Sequence, residues 1–475
     1  MSSTEEESKK NTVDKGKTEL SKRVVKGGFW VFSLRISQLI LGFTRLTVLA
    51  YILSVDAFGL LGIAVLMMMT FETFSETGFK HALIQKKQNI TPYLDAAWTI
   101  LIVRGIILFA CLFFIAPYAA LFFEVPEATP VIQVIGLSIL FLAFTNIGVV
   151  YFQKDLEFHK QFSYQFSGTI VDFVIAISAA IILQNVWALV YGYLAGNITR
   201  CVMSYIIHSY RPRIHFDYQK IKELWGFGKW ILGGTILTFL LVQGDDIFVG
   251  KVLGVTALGF YTLAYRYSNM PATEITHVIS QVTFPTYSKL QDNIKKLREA
   301  YLKVLQLTAF LSFLAAGIIF IFAYDFTVLI LGDKWLPMVL SLQILVVWGL
   351  TRSIGACTGP LFRAVKKPDI STKMMGARFV IFIILVYPFT ITWGIVGTAM
   401  TVAIAGLITR PITDYLAINV IKCSVWDYIR PILFPMTAML AMISTIFALK
   451  LFVFTSAELI SFFIMAIISV LVYFG

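Results

Sequence analysis

From Phe29 to the C-terminus the chain alternates long apolar runs with short polar breaks rich in Gly, Pro and charge. Runs of about 20 residues are long enough to cross a hydrocarbon layer of roughly 30 Å as helices. Reading runs against breaks predicts an all-α polytopic membrane protein with about 14 transmembrane helices. Six are expected at 27–53, 57–77, 96–122, 131–151, 163–183 and 186–208. Six more follow at 229–253, 257–280, 304–324, 337–359, 374–391 and 394–415, and two at 431–450 and 457–475. The opening stretch "MSSTEEESKKNTVDKGKTELSKR" has almost nothing to bury and is expected to be a disordered tail over 1–23. The apolar run after it comes too late, and is too long, for a secretory leader.

Composition agrees with this pattern. The chain has 475 residues, 58% hydrophobic and 14% charged, with mean hydropathy +0.80, which excludes an ordinary soluble domain. The formal net charge of +12 raises nucleic acid as a partner, but the distribution of basic residues removes it. Lys251, Lys334 and Lys450 fall in outward connections and seven arginines fall inside spans. The rest of the 39 Lys and Arg, with Arg378 and Lys229 counted among them, lie in the N-terminal tail and alternate connections. That asymmetry places both termini in the cytoplasm, in a multi-pass protein of the cell membrane. Cys111, Cys201, Cys357 and Cys423 show no paired spacing, so neither a disulfide nor a metal site is expected.

A shift of 200 residues lays "LSVDAFGLLGIA" (53–64) over "LGVTALGFYTLA" (253–264), with five of twelve positions identical. That offset corresponds to six helices, as duplication of a six-helix lobe requires. An even number keeps the repeats parallel about an axis along the membrane normal, with a cavity expected between them. The expected organisation is a lobe at 24–210, a cytoplasmic linker at 211–228, a second lobe at 229–418 and two additional helices at 419–475. The same offset places Arg45 on Asp245, so these two are expected to pair across the lobe interface.

Charges inside spans are costly and mark function unless paired. Arg35, Gln38 and Arg45 share a helical stripe with Gly42, the two arginines about 15 Å apart along the axis. Arg266 shares a face with Asn269 and Thr273, followed by Glu274. Arg104 and Arg352 complete the substrate-binding set, while Glu76, Arg200, Arg410 and Asp414 lie near inner ends and are read as snorkelling. The carboxylates Glu72, Asp172, Asp245, Asp246 and Glu274 are read as coupling or interlobe residues. Arginine keeps its charge and suits a static anionic ligand; a carboxylate can carry a proton or hold sodium. No cofactor is called for, and a coupling ion, H+ or Na+, stays open.

The segments "FGLLGIA", "SETGFKHALIQ", "QGDDIFVGKVLGVTALGFYTLAYRYSNMPATEITHVISQVTFPTYSKLQDN", "LGDKWLPMVLSLQIL" and "KKPDI" resemble prokaryotic polysaccharide flippases. These are the Wzx-type, O-antigen branch of the multidrug/oligosaccharidyl-lipid/polysaccharide exporter superfamily, and the resemblance covers roughly 25–420. It implies two lobes, alternating access and no enzymatic activity. The implied substrate is an oligosaccharide linked through pyrophosphate to a polyprenol, moved from the inner to the outer leaflet for surface polysaccharide. Arg35, Arg45 and Arg266 would then meet the pyrophosphate. Implied partners are the lipid-linked oligosaccharide, membrane lipids, a polysaccharide polymerase and other export proteins.

Two alternatives differ in class. A multidrug exporter of cations would favour an acidic cavity, whereas this chain places arginines in its spans. A membrane polymerase would want a long outward catalytic loop beside "GDD", and none accompanies it.

Overall fold

The computed structural model describes residues 2–86, 89–155, 157–453 and 458–475. Lys87 and Gln88, and the expected start of the last span at residue 457, lie outside the described residues. The N-terminal helices are α1 (Ser2–Ile52), α2 (Val55–Phe74), α3 (Phe79–Gln85), α4 (Thr91–Phe122), α5 (Ala128–Phe144), α6 (Val150–Lys154), α7 (Phe158–Leu183) and α8 (Val186–Ile207). They continue with α9 (Tyr218–Val252), α10 (Gly254–Leu290), α11 (Ile294–Phe326), α12 (Val339–Ile354), α13 (Thr358–Ala364), α14 (Pro368–Ile421), α15 (Val425–Phe452) and α16 (Leu459–Phe474). Among the described residues eight helices are long and apolar enough to cross a membrane, or nine if the bent pair α5 and α6 is one span.

Large apolar side chains stand outward on these helices, among them Tyr118 at 72% and Ile182 at 78% exposure. Surfaces of that kind belong against lipid, where a helix satisfies its own backbone. The chain is a multi-pass membrane protein.

Two spans expected at 374–391 and 394–415 appear as one element, α14, yet the chain reverses inside it. Gly394 takes φ 59° and ψ −138°, a conformation that L side chains rarely adopt. The Thr401 hydroxyl reaches the Leu385 carbonyl at 3.4 Å, whereas 16 residues of straight helix would separate them by about 24 Å. Thr390 and Thr398 meet at 2.8 Å across the same hairpin. Any Cβ on Gly397 would collide with the Phe389 carbonyl. Gly397→Ala is therefore expected to destabilise by about 1–3 kcal/mol, seen as a lower unfolding temperature in detergent.

The chain divides into two compact units, Met1–Leu240 and Leu241–Gly475. In the first, α7 packs on α1 and α8, and α4 and α2 pack on α5. In the second, α12 packs on α10, α11 and α14, and α15 packs on α11 and α16. Two details recur between them, the first at the 200-residue offset. α1 ends at Ile52 and α9 at Val252, and the next helix follows each within three residues. Gln133 donates to the Phe113 carbonyl at 3.2 Å in one unit, and Gln343 donates to that of Phe320 at 3.0 Å in the other.

Two expectations change. The segment 1–23 is helical from Ser2 and continues into α1, in keeping with its Glu and Lys content and their high helix propensity. The segment expected as a linker, 211–228, is split. Asp95 of α4 accepts from the Tyr210 hydroxyl at 2.7 Å and the Arg213 backbone N–H at 2.8 Å, which ties its start to the first unit. From Tyr218 onward the chain is already α9.

Candidate functional site

The charged residues separate by unit. In the first, Arg45 of α1 meets Asp172 of α7, Nη2 to Oδ1, at 2.9 Å. Asp172 has room because α8 presents glycines to it: a Cβ on Gly192 would stand 2.8 Å from its Oδ1, and one on Gly196 2.9 Å from its Cβ. Arg35 and Gln38 are half-buried on α1. Arg104 finishes α2 rather than facing open space. Its Nη2 donates to the Glu72 carbonyl at 2.8 Å and to Ser75 Oγ at 2.9 Å, and its Nε to Ser75 Oγ at 3.1 Å. A cation on the orphan carbonyls of a helix C-terminus is favourable. Arg200 donates to Asn197 Oδ1 at 2.8 Å, and Glu76 accepts from the Gly78 N–H at 2.9 Å.

In the second unit Asp245 is buried, 4% exposed. Its Oδ2 accepts from the Tyr261 hydroxyl at 2.7 Å, and Arg378 is the cation that acts on it. The expectation that Arg45 pairs with Asp245 is thus corrected in its partners. Each residue is engaged within its own unit by the helix four spans later, and the polarity is reversed between the two. Asp246 Oδ1 is buried without a hydrogen-bond partner. Arg266 is exposed on α10, with Glu274 half-buried two turns on; neither is among the described residues lining the cavity below.

That cavity, of about 350 Å³, opens among α10, α12, α13 and α14. Arg352, Arg363, Arg378 and Arg410 all line it. Hydroxyls of Thr276, Ser280, Thr351 and Thr413 stand between them, and among the described lining residues there is no Asp or Glu. Arg352 donates through Nη2 to the Thr273 hydroxyl and the Asn269 carbonyl at 3.4 Å, while its buried Nε has no partner. Buried Thr276 Oγ1 likewise has none. Arg378 lies over the Trp348 ring at 4.6 Å and Arg363 over that of Phe284 at 5.3 Å. Arg352 and Arg378 are within electrostatic reach of one another.

Two of the four guanidiniums are balanced from behind the wall, Arg378 by Asp245 and Arg410 by Asp414. For Arg352 and Arg363 no paired carboxylate is found among the described residues, an arrangement that favours an anion. Planar guanidiniums with free edges bind phosphate oxygens in pairs.

Of the residues singled out in the sequence, Arg352 and Arg410 line this cavity. Arg410 and Asp414 form a half-buried ion pair, not a snorkelling one. Arg363 and Arg378 escaped notice because they lie at the margins of spans and read as inner-loop charges. Their spacing from "KKPDI" gave no sign that the hairpin in α14 returns Arg410 to the same wall.

Comparison with known proteins follows this geometry. The family described as "Polysaccharide biosynthesis protein" matches residues 48–340. The lipopolysaccharide biosynthesis protein WzxC of Escherichia coli K12 is 26% identical over 400 residues, 84% of this chain and 80% of the relative. The teichuronic acid biosynthesis protein TuaB of Bacillus subtilis is 24% identical, over 77% of this chain and 76% of the relative. Among solved structures the lipid II flippase MurJ, in an inward closed conformation, superposes with a TM-score of 0.76 at 16% identity, covering 95% of this chain and 97% of that one. At that identity the likeness is one of fold.

Proposed function

The chain belongs to the polysaccharide biosynthesis protein family, and from that premise we propose that it is a flippase for polyprenyl-diphosphate-linked oligosaccharide. It moves this lipid from the inner to the outer leaflet by alternating access, for surface polysaccharide assembly. The observation that carries the reading is the acid-free cavity lined by Arg352, Arg363, Arg378 and Arg410. A diphosphate diester carries two negative charges, and desolvated arginine is the side chain suited to neutralise them. The hydroxyls of the same wall suit sugar, and the polyprenol needs no protein cavity because it stays in the bilayer. A cation exporter would need carboxylates in this wall.

Translocation makes and breaks no covalent bond, so no catalytic residue is required. Both termini are cytoplasmic, as the basic connections argue, and the product is handed outward to a polymerase and other export proteins. For a coupling ion, H+ or Na+, we assign Asp246. Its buried Oδ1 lacks a donor, a costly state that a proton or sodium removes. Arg266 acts on Asp246 as well, but Asp172 pairs directly with Arg45 and Asp245 accepts from Tyr261.

The test is reconstitution. Vesicles carrying the protein and a polyprenyl-diphosphate oligosaccharide are expected to expose the glycan to an external lectin faster than vesicles without it. Equal rates, with the protein folded and both orientations present, refute the reading.

A further inference from the structure

Arg410 enters the cavity wall from α14, and its guanidinium is gripped along one edge. Asp414, one turn on, accepts from Nε at 2.9 Å and pairs with Nη2 through its other oxygen. Tyr428 of α15 donates its hydroxyl to that carboxylate at 2.7 Å and accepts from Nη2 at 3.3 Å. Tyr301 of α11 supports Tyr428 from behind, hydroxyl to hydroxyl at 3.4 Å, and reaches Thr358 at 3.2 Å. Nη1 points the other way, against Gly355, where any Cβ would collide with it. Gly355 and Arg410 line the cavity.

This arrangement differs from a plain counter-charge. A carboxylate bonded to both Nε and Nη2 fixes the guanidinium plane, and a tyrosine bonded to both partners fixes the carboxylate. The long arginine side chain loses its rotamer freedom before a ligand arrives, which is what preorganisation requires. The tyrosine comes from α15, a helix outside the six-helix repeat. We propose that Asp414, Tyr428 and Gly355 are positioning residues that aim Arg410 Nη1 at the diphosphate, so that α15 sets the affinity of the cavity. The proposal rests on the reading of this cavity as the diphosphate site.

Inorganic pyrophosphate is the probe, titrated calorimetrically into the full chain in detergent. Tyr428→Phe keeps every charge and the ring packed on Tyr301, and is expected to weaken binding about 3- to 10-fold, the range of one ordinary net hydrogen bond, since Tyr428 acts on the ligand only through Arg410. Asp414→Asn distinguishes the roles by sign. It leaves the surroundings more positive by one charge, so a mere counter-ion predicts tighter binding and a positioning residue predicts weaker binding. With Arg410→Ala in place, Tyr428→Phe is expected to cost nothing further.

Wild-type affinity in Tyr428→Phe, tighter binding in Asp414→Asn, or a Tyr428→Phe loss that persists in full beside Arg410→Ala each overturns the proposal. Should Asp414→Asn fail to fold, Gly355→Ala takes its place, since it displaces Nη1 and changes no charge; unchanged affinity there overturns the proposal as well. Arg352→Ala separates the two levels. If it leaves pyrophosphate binding intact, the cavity reading itself falls. If it weakens binding while Tyr428→Phe does not, only the positioning role falls.

Discussion

Arg352→Ala is expected to lower transport efficiency of the lipid-linked oligosaccharide about 10- to 100-fold, the loss of one or two charge-assisted hydrogen bonds to phosphate. The protein is expected to stay folded. Arg352 makes two bonds to α10, but it also stands within electrostatic reach of Arg378, with no carboxylate in the cavity wall among the described residues. Removing it relieves that repulsion, and the unfolding temperature in detergent is expected to hold or rise. Function and stability therefore move apart, as at sites kept strained for binding. Arg352→Lys restores little, because an ammonium cannot replace the planar fork. The check is transport in reconstituted vesicles beside thermal unfolding; a parallel fall in both would mark Arg352 as an ordinary helix-packing residue.

The second large effect is expected in the first unit. Asp172→Ala strands Arg45 among α1, α7 and α8, and costs about 3 kcal/mol, the lower end for a broken buried pair. The lower end applies because the side chains keep 16% and 22% exposure. Arg45→Ala strands Asp172 instead, and costs less, since a carboxylate can take up a proton and arginine cannot release one. The double alanine variant is expected to be more stable than Asp172→Ala alone. Thermal unfolding of the four proteins measures the cycle, and a double variant as unstable as the two losses added together would show that the pair is not coupled.

Periodicity alone reached the all-helical, multi-pass character of the chain, because a helix in lipid must be apolar along its whole length. The break before α2 recurs 200 residues on, before α10. The site was less legible. Arg45 and Asp245 were recognised as significant, but alignment gives equivalent positions and not neighbours; the partners Asp172 and Arg378 come from a helix four spans away. Arg378 and Arg363 sit where a span meets its inner connection, and hydropathy cannot tell a snorkelling arginine from one turned into a cavity. Arg104 shows the converse. Its depth in the membrane read as a binding role, while its hydrogen bonds serve the end of α2.

The reversed polarity of the two charge pairs bears on assembly of the chain. Duplicated lobes carry helices of similar shape that could dock in one another's places while the protein inserts. If α9 took the place of α1 beside α7, Asp245 would face Asp172; if α1 took the place of α9, Arg45 would face Arg378. Both wrong pairings set like charges together in a medium of low dielectric, a penalty neither correct pairing incurs. The same four side chains would thus act as a key against confusing one half of the molecule with the other.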